Sequence, residues 1–251
     1  MAEAVTEATR DTLLDGRVVL RQPAGGLRAT SDAVLLAAAV RAGPVDHILD
    51  MGCGTGAATF CLTARVEGCR VTGLEADKAL AALAATNAAL NEVEVRVDIV
   101  ADTLPFTTSP ALDGPFDHVM TNPPYLPIGR ARRKDDTARD RATVESVDLA
   151  TWLGFALDRL RPRGTLTVVH RADRLDDLLD VLSGPAGDIA IFPLWSNAED
   201  DKPARRVLVR ARKGVNAPLR LLPGLVMHDR GGGFSKVAET VLRDGKALAW
   251  P

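Results

Sequence analysis

The chain has 251 residues, 46% hydrophobic and 25% charged, a balance that suits one folded domain with a sizeable core and excludes a disordered chain. A net charge of −2 argues against indiscriminate nucleic-acid binding, although a local basic face remains compatible with it. Cys53, Cys61 and Cys69 are spaced by eight with no Cys-x-x-Cys, which disfavours a metal site or a disulfide framework and fits a reducing, cytoplasmic setting.

Leu13-Leu14-Asp15-Gly16-Arg17-Val18 reads as a hairpin, because Asp-Gly accepts the positive φ angles of a tight turn between apolar strands. Ser31-Asp32 offers a cap for a helix over 33–40, the longest apolar run at eight residues and too short to span a membrane. The acidic start of the chain has no signal-peptide pattern. Strands are then expected at 45–50, 70–75, 93–97, 116–120, 164–170, 189–194 and 206–212, with helices at 57–66, 78–90, 148–160 and 174–182 between them. This alternation predicts an α/β fold, a Rossmann-like, seven-stranded, mostly parallel sheet with helices on both faces. The helix at 78–90 presents Ala81, Ala84, Ala85 and Ala88 for close packing and is assigned structure only. A tail with strands at 219–222 and 225–229, a turn at Gly231-Gly232-Gly233 and a helix capped by Ser235 is expected to extend the sheet. A single domain is therefore expected, with a hairpin and helix at 1–44, a core at 45–213 and an extension at 214–251.

The most informative segment is Asn122-Pro123-Pro124-Tyr125, directly after an apolar strand. Two prolines remove two donors and fix two φ angles, so the strand stops in a rigid frame. Asn122 adds an acceptor, the Pro123 carbonyl another, and Tyr125 a flat ring, together a holder for a planar NH2 group. A rigid loop without a ligand is the plain alternative.

Asp50-Met51-Gly52-Cys53-Gly54-Thr55-Gly56 runs from a strand into a helix, where glycines let backbone approach a ligand. Glu75, ending the next strand, is placed to grip a ribose diol. Gly52-x-Gly54-x-x-Ala57 with a distal acid also satisfies a dinucleotide fingerprint, so a dehydrogenase stays open on these residues. Asp50 beside the loop would repel a pyrophosphate and suit a cationic cofactor. Asp102, after the third strand, either accepts from an adenine amine or is an exposed loop acid. His118, His170 and His228 read as ordinary strand residues.

Asp50 to Gly56, Glu75, Asp102 and Asn122-Pro123-Pro124-Tyr125 resemble the motifs of class I S-adenosylmethionine-dependent methyltransferases that act on planar NH2 groups. Asp32-Ala33-Val34-Leu35-Leu36-Ala37-Ala38, Ala142-x-x-Glu145, Arg206-Val207-Leu208-Val209 and Leu225-Val226-Met227-His228 are similar to segments of the bacterial tRNA1(Val) adenine-N6-methyltransferase family. The chain departs at Cys53, where Thr or Ser is expected, and over 129–136. The resemblance implies S-adenosylmethionine as cofactor, held by Asp50, Gly52, Gly54, Gly56, Glu75 and Asp102. Asn122, Pro123 and Tyr125 are the implied catalytic residues. It implies tRNA as partner, with the anticodon stem-loop as the region; no membrane, no metal and a monomer are expected beside it.

For the RNA, Arg130, Arg132, Arg133, Lys134, Arg139 and Arg141 stand against Asp135, Asp136 and Asp140, and Lys202, Arg205, Arg206, Arg210, Arg212 and Lys213 form a second basic cluster. A solvated charged surface with Arg stems along the last strand is the plain alternative for the second. Arg17, Arg21 and Arg28 are candidates for the same face. The rival with the same chemistry is glutamine methylation of a peptide-release factor, which the 49 residues ahead of Asp50 are expected to be too few to support. A cofactor-binding module without catalysis is the further alternative.

Overall fold

The computed structural model describes residues 8–25, 28–105, 107–124, 147–197 and 202–250. Strands β1 (Ala8–Leu13) and β2 (Val18–Pro23) form the expected antiparallel hairpin, with Leu14, Asp15 and Gly16 all at positive φ in its turn. Helix α1 (Ser31–Ala39) follows, capped by Thr30 rather than by the expected Ser31-Asp32: the Thr30 backbone is extended and its hydroxyl accepts from the Asp32 amide. β3 (His47–Met51), α2 (Ala57–Arg65), β4 (Arg70–Glu75), α3 (Lys78–Leu90) and β5 (Val97–Ala101) then alternate. The third expected strand, 93–97, is displaced towards the C-terminus. Glu92 takes φ 57° and Arg96 N–H donates to Val93 O, so 93–96 is spent on the turn out of α3.

β6 (Phe116–Thr121), α4 (Leu149–Arg159), β7 (Leu160–Arg171), α5 (Leu175–Leu182), β8 (Ala186–Asn197) and β9 (Arg206–Lys213) complete the expected strands. The tail supplies β10 (Arg220–Leu221), β11 (Leu225–His228) and α6 (Lys236–Leu242), whose cap is Ser235 as the sequence predicts. The sheet has nine strands, not seven, because β10 and β11 both pair with β8. Its order is β10-β8-β9-β7-β6-β3-β4-β5, with β11 also on β8, and only β9 runs against its neighbours. Two apolar clusters lie against it. One gathers Leu35, Leu36, Phe60 and Leu62 with the hairpin's Val18 and Leu20, the other Leu153, Ala156 and Leu178 with Phe116 and Val119.

Chain order reverses between β3 and β6: β4 and β5 build outward on one side of β3, and β6 and β7 on the other. Such a switch point opens a crevice at the carboxyl ends of the strands. The residues singled out by the sequence end these strands.

Among the described residues no helix is long and apolar enough to cross a membrane, and no group of three or more His, Cys, Asp or Glu is placed to hold a metal ion.

Candidate active site

The glycine loop closes over the end of β4. Gly52 and Cys53 N–H both donate to Leu74 O, at 2.8 and 3.0 Å, Gly54 N–H donates to Glu75 Oε2 at 2.8 Å, and Gly56 N–H to Cys53 O at 2.8 Å. Gly52, Gly54 and Gly56 all have positive φ, at 72°, 57° and 89°. A Cβ at Gly56 would sit 2.2 Å from the Phe60 ring and one at Gly52 3.2 Å from the Trp152 ring, whereas one at Gly54 would meet nothing within 4 Å. Gly54 is therefore the point where the loop offers open backbone.

The acids line the ends of three neighbouring strands. Asp50 is buried in β3, and its Oδ2 accepts from the Thr59 hydroxyl at 2.7 Å on α2. Burial pushes its carboxyl up to about 7, helped by the negative charge of Glu75 and opposed by Thr59. Glu75 ends β4 and uses one oxygen on Gly54 N–H and the other on Asp77 N–H, and burial also raises its carboxyl above the usual range. Asp102 N–H donates to Glu75 O at 3.1 Å, which fixes Asp102 one strand further along. Its carboxylate accepts from the Thr107 hydroxyl and the Thr103 and Thr108 amides, which hold it below the usual carboxylate range.

This pattern separates the two cofactor readings left open by the sequence. Four loop amides, those of Gly52, Cys53, Gly54 and Gly56, already donate inside the protein, so they are not turned to a phosphate as a dinucleotide cradle requires. A buried acid, Asp50, and a half-buried one, Glu75, beside the loop would oppose a pyrophosphate and favour a cation. The arrangement fits S-adenosylmethionine, whose sulfonium and ammonium are cationic and whose ribose presents a diol to a carboxylate with lone pairs to spare.

Asn122 is the first residue beyond β6, half-buried, with Pro123 buried behind it. Thr121 pairs with Met51 across the switch point, and the Thr121 hydroxyl donates to Met51 O at 2.8 Å. Asn122 thereby emerges beside Gly52. Trp152, on α4, locks the junction: its Nε1–H donates to Thr121 Oγ1 at 2.9 Å while its ring covers Gly52. Neither Trp152 nor Thr59 was legible as a site residue, since each acts through a partner remote in sequence. Tyr125, Arg130, Arg132, Arg133, Lys134, Arg139, Arg141, Ala142 and Glu145 lie outside the described residues.

Arg210, Arg212 and Lys213 of the second basic cluster are engaged within the protein. Arg210 is 5% exposed, stacked on the Trp250 ring at 4.7 Å, with its guanidinium lowered to about 10 by burial and then by Arg41. Arg212 pairs with Asp188, and Lys213 donates to the carbonyls of Asp158 and Leu160. These three side chains are thus taken up by the tail, by β8 and by the α4–β7 junction. Arg206 stands at the site edge, where β9 begins opposite the end of β7, and its Nε donates to Asp32 Oδ2 at 3.0 Å. Lys202 and Arg205 are exposed near it. Arg28 pairs with Asp11, and Arg17 donates to Leu14 O and Arg243 O, which ties the hairpin to the tail.

The histidines have structural surroundings. His118 contacts Asp46 at 3.1 Å, and His170 is buried at the end of β7, with its imidazole lowered to about 4 by burial and by Arg174, Arg206 and Arg171.

Residues 30–179 match the family model described as "Methyltransferase small domain". A tRNA1(Val) (adenine(37)-N6)-methyltransferase of Aeromonas hydrophila is 29% identical over 217 residues, covering 83% of this chain and 86% of the relative. One of the same description from Porphyromonas gingivalis is 31% identical over 170 residues, covering 64% of this chain and just under two thirds, 66%, of that relative. The crystal structure of a "predicted O-methyltransferase" of Agrobacterium tumefaciens superposes with a TM-score of 0.71 at 25% identity, over 87% of this chain and 98% of that one.

Proposed function

Since the chain belongs to the methyltransferase small domain family, we propose that it transfers the methyl group of S-adenosylmethionine to the exocyclic N6 of an adenine in tRNA. One observation carries this reading: β6 delivers Asn122-Pro123 beside Gly52, across the Met51–Thr121 pair, so a holder for a planar amine adjoins the three-acid cofactor edge. The names of the two relatives support adenine in tRNA as acceptor, at position 37 of tRNA1(Val).

S-adenosylmethionine supplies an electrophilic methyl on a sulfonium. The chain's work is to orient the acceptor. The lone pair of an aryl amine is delocalised into its ring, and hydrogen bonds from NH2 to Asn122 Oδ1 and the Pro123 carbonyl draw the nitrogen toward tetrahedral geometry. Positive charge then develops among oxygen acceptors, which stabilise it, and no strong base is needed because the product proton is acidic enough to leave to water. Tyr125 stacks on the base, which must be out of its own stack. An anticodon-loop purine is already unpaired, which lowers that cost. On the cofactor side Glu75 holds the ribose, Asp102 the adenine amine, and Asp50 the cationic end. The reading carries with it a cytoplasmic, monomeric enzyme, with Arg130, Arg132, Arg133, Lys134 and Arg206 on the RNA backbone. Arg206 must share its guanidinium with Asp32 to do so.

The test is incubation with labelled S-adenosylmethionine and total tRNA from a strain lacking the protein, followed by digestion to nucleosides. Label in N6-methyladenosine is expected. Label found only in protein glutamine, or cofactor binding without transfer to RNA, overturns the reading.

A further inference from the structure

The C-terminal extension ends β11 at His228, and the next six residues turn back so that His228 bridges Phe234. Three bonds shape this loop: Asp229 N–H donates to Gly233 O at 3.0 Å, Gly232 N–H to Asp229 O at 3.1 Å, and Gly231 N–H to Asp229 Oδ1 at 3.0 Å. The two rings stack, with centroids 5.1 Å apart and planes 24° from parallel. His228 Nδ1 lies 2.9 Å from Ser196 O, and because a carbonyl only accepts, Nδ1 carries the proton and the ring is held in place. Phe234 is nevertheless 38% exposed, among the few large apolar side chains that are. The ring is thus packed against His228 and otherwise partly bare.

The sheet's directions place this loop. β11 runs parallel to β8, β8 antiparallel to β9, β9 antiparallel to β7, and β7 parallel to β6. His228 therefore ends its strand at the same edge as Asn122, four strand spacings or roughly 19 Å across the sheet and, by the strand registers, about five residues or roughly 16 Å further out along the strand direction. Phe234 also lines a cleft of about 370 Å³ with Leu14, Thr30, Val34, Leu242 and Arg243. Its far wall is the start of α1, where Asp32 reaches Arg206 on the catalytic edge. The cleft thus shares α1 with the catalytic edge, and combines apolar walls with one stacked ring.

We infer that this cleft, with Phe234 as its stacking surface, binds one unpaired nucleotide of the substrate RNA away from the methylated base. The inference rests on the RNA reading above and gives the extension a task in substrate selection. A ring pair suits a base without demanding a particular one, because every base has a π-face. Arg243 also lines the cleft, and with its Nε 3.4 Å from Glu239 Oε1 it must share its guanidinium with that carboxylate to meet an adjoining phosphate. Asp15 is the carboxylate lining the cleft, and Gly232 and Gly233 leave the loop backbone open to close approach.

The test compares tRNA binding and methylation by the unaltered chain, Phe234→Ala and Phe234→Trp. Phe234→Ala is expected to weaken tRNA affinity by about tenfold or more, the loss of one stacked base, while cofactor affinity stays unchanged. Phe234→Trp is expected to restore it. Photo-crosslinking of the unaltered chain to tRNA, with the adducts mapped by mass spectrometry, is expected to label the loop from His228 to Phe234, and this arm does not depend on any variant folding. If tRNA is methylated but Phe234→Ala binds it as the unaltered chain does, or crosslinks avoid this loop, the cleft inference alone fails. If the unaltered chain methylates no RNA, the functional reading fails and the cleft inference with it.

Discussion

The Gly54 amide donates to Glu75 Oε2 across 2.8 Å, which makes the turn after β3 and the acid ending β4 one structural unit. On the proposed reading a change at Glu75 therefore acts twice, on the cofactor and on the loop. Glu75→Ala is expected to weaken S-adenosylmethionine binding by roughly a hundredfold, the loss of a charge-assisted pair of bonds. Glu75→Gln keeps an acceptor for Gly54 and should lose less. Isothermal titration of both variants checks this, and equal losses would mean that the Gly54 bond is immaterial.

Asn122→Ala is expected to abolish turnover nearly completely while cofactor affinity stays within a few-fold. Single-turnover methylation beside equilibrium cofactor binding separates the two. On the same assay Tyr125→Phe should be tolerated and Tyr125→Ala should not, because the ring and not the hydroxyl is used.

Trp152 holds the two halves of the site together through Thr121 Oγ1 and its cover over Gly52. Trp152→Phe keeps most of the ring and loses the donor. A tenfold to hundredfold drop in the single-turnover rate is expected, on the order of what a small misplacement of reacting groups costs, with fold stability little changed. A rate equal to that of the unaltered chain would remove Trp152 from the positioning of Asn122.

Asp50 predicts a pH dependence with a definite sign. Its carboxyl is raised to about 7 in the fold by burial, above its value in the unfolded chain, so the folded state holds the extra proton between those values. Its contribution to stability is present below the unfolded pKa and is lost as pH rises to about 7, a few kcal/mol in order of magnitude. Asp50→Asn should flatten that slope in denaturation curves taken from pH 4 to 8. A cationic cofactor favours the ionised form, so binding should tighten as pH rises through 7 and release a proton, seen as a buffer-dependent enthalpy that the Asn variant lacks. A binding enthalpy independent of buffer would contradict the role given to Asp50.

Asn87 is fully buried on α3. It accepts from Arg21 N–H at 2.7 Å and donates to the carbonyls of Arg21 and Thr55 at 3.0 and 2.9 Å, while Asn91 does the same for both backbone groups of Val19. Two side-chain amides one helical turn apart thus stand in for a partner strand along β2. Asn87→Ala strands these backbone groups and should destabilise the protein by about 3 kcal/mol, measured by chemical denaturation. A loss well below 1 kcal/mol would show that water replaces the amide.

Much of the fold was legible because its signals are local. Periodicity marked β4 and α3 at their bounds, Asp-Gly marked the hairpin, and Ser235 marked the last helix. The glycine spacing and the Asn-Pro-Pro frame depend on φ angles and missing donors, which belong to the residues themselves. What the sequence could not determine is which groups meet. Asn87 stood unnoticed among alanines in a helix assigned to packing, although its amide clamps the hairpin. Arg210 and Arg206 looked alike in a basic run, yet one is buried on Trp250 and the other reaches Asp32 at the site edge. Charge and propensity are written residue by residue along the chain, whereas a hydrogen bond or a stacked ring needs two groups that only the closing of the sheet brings together.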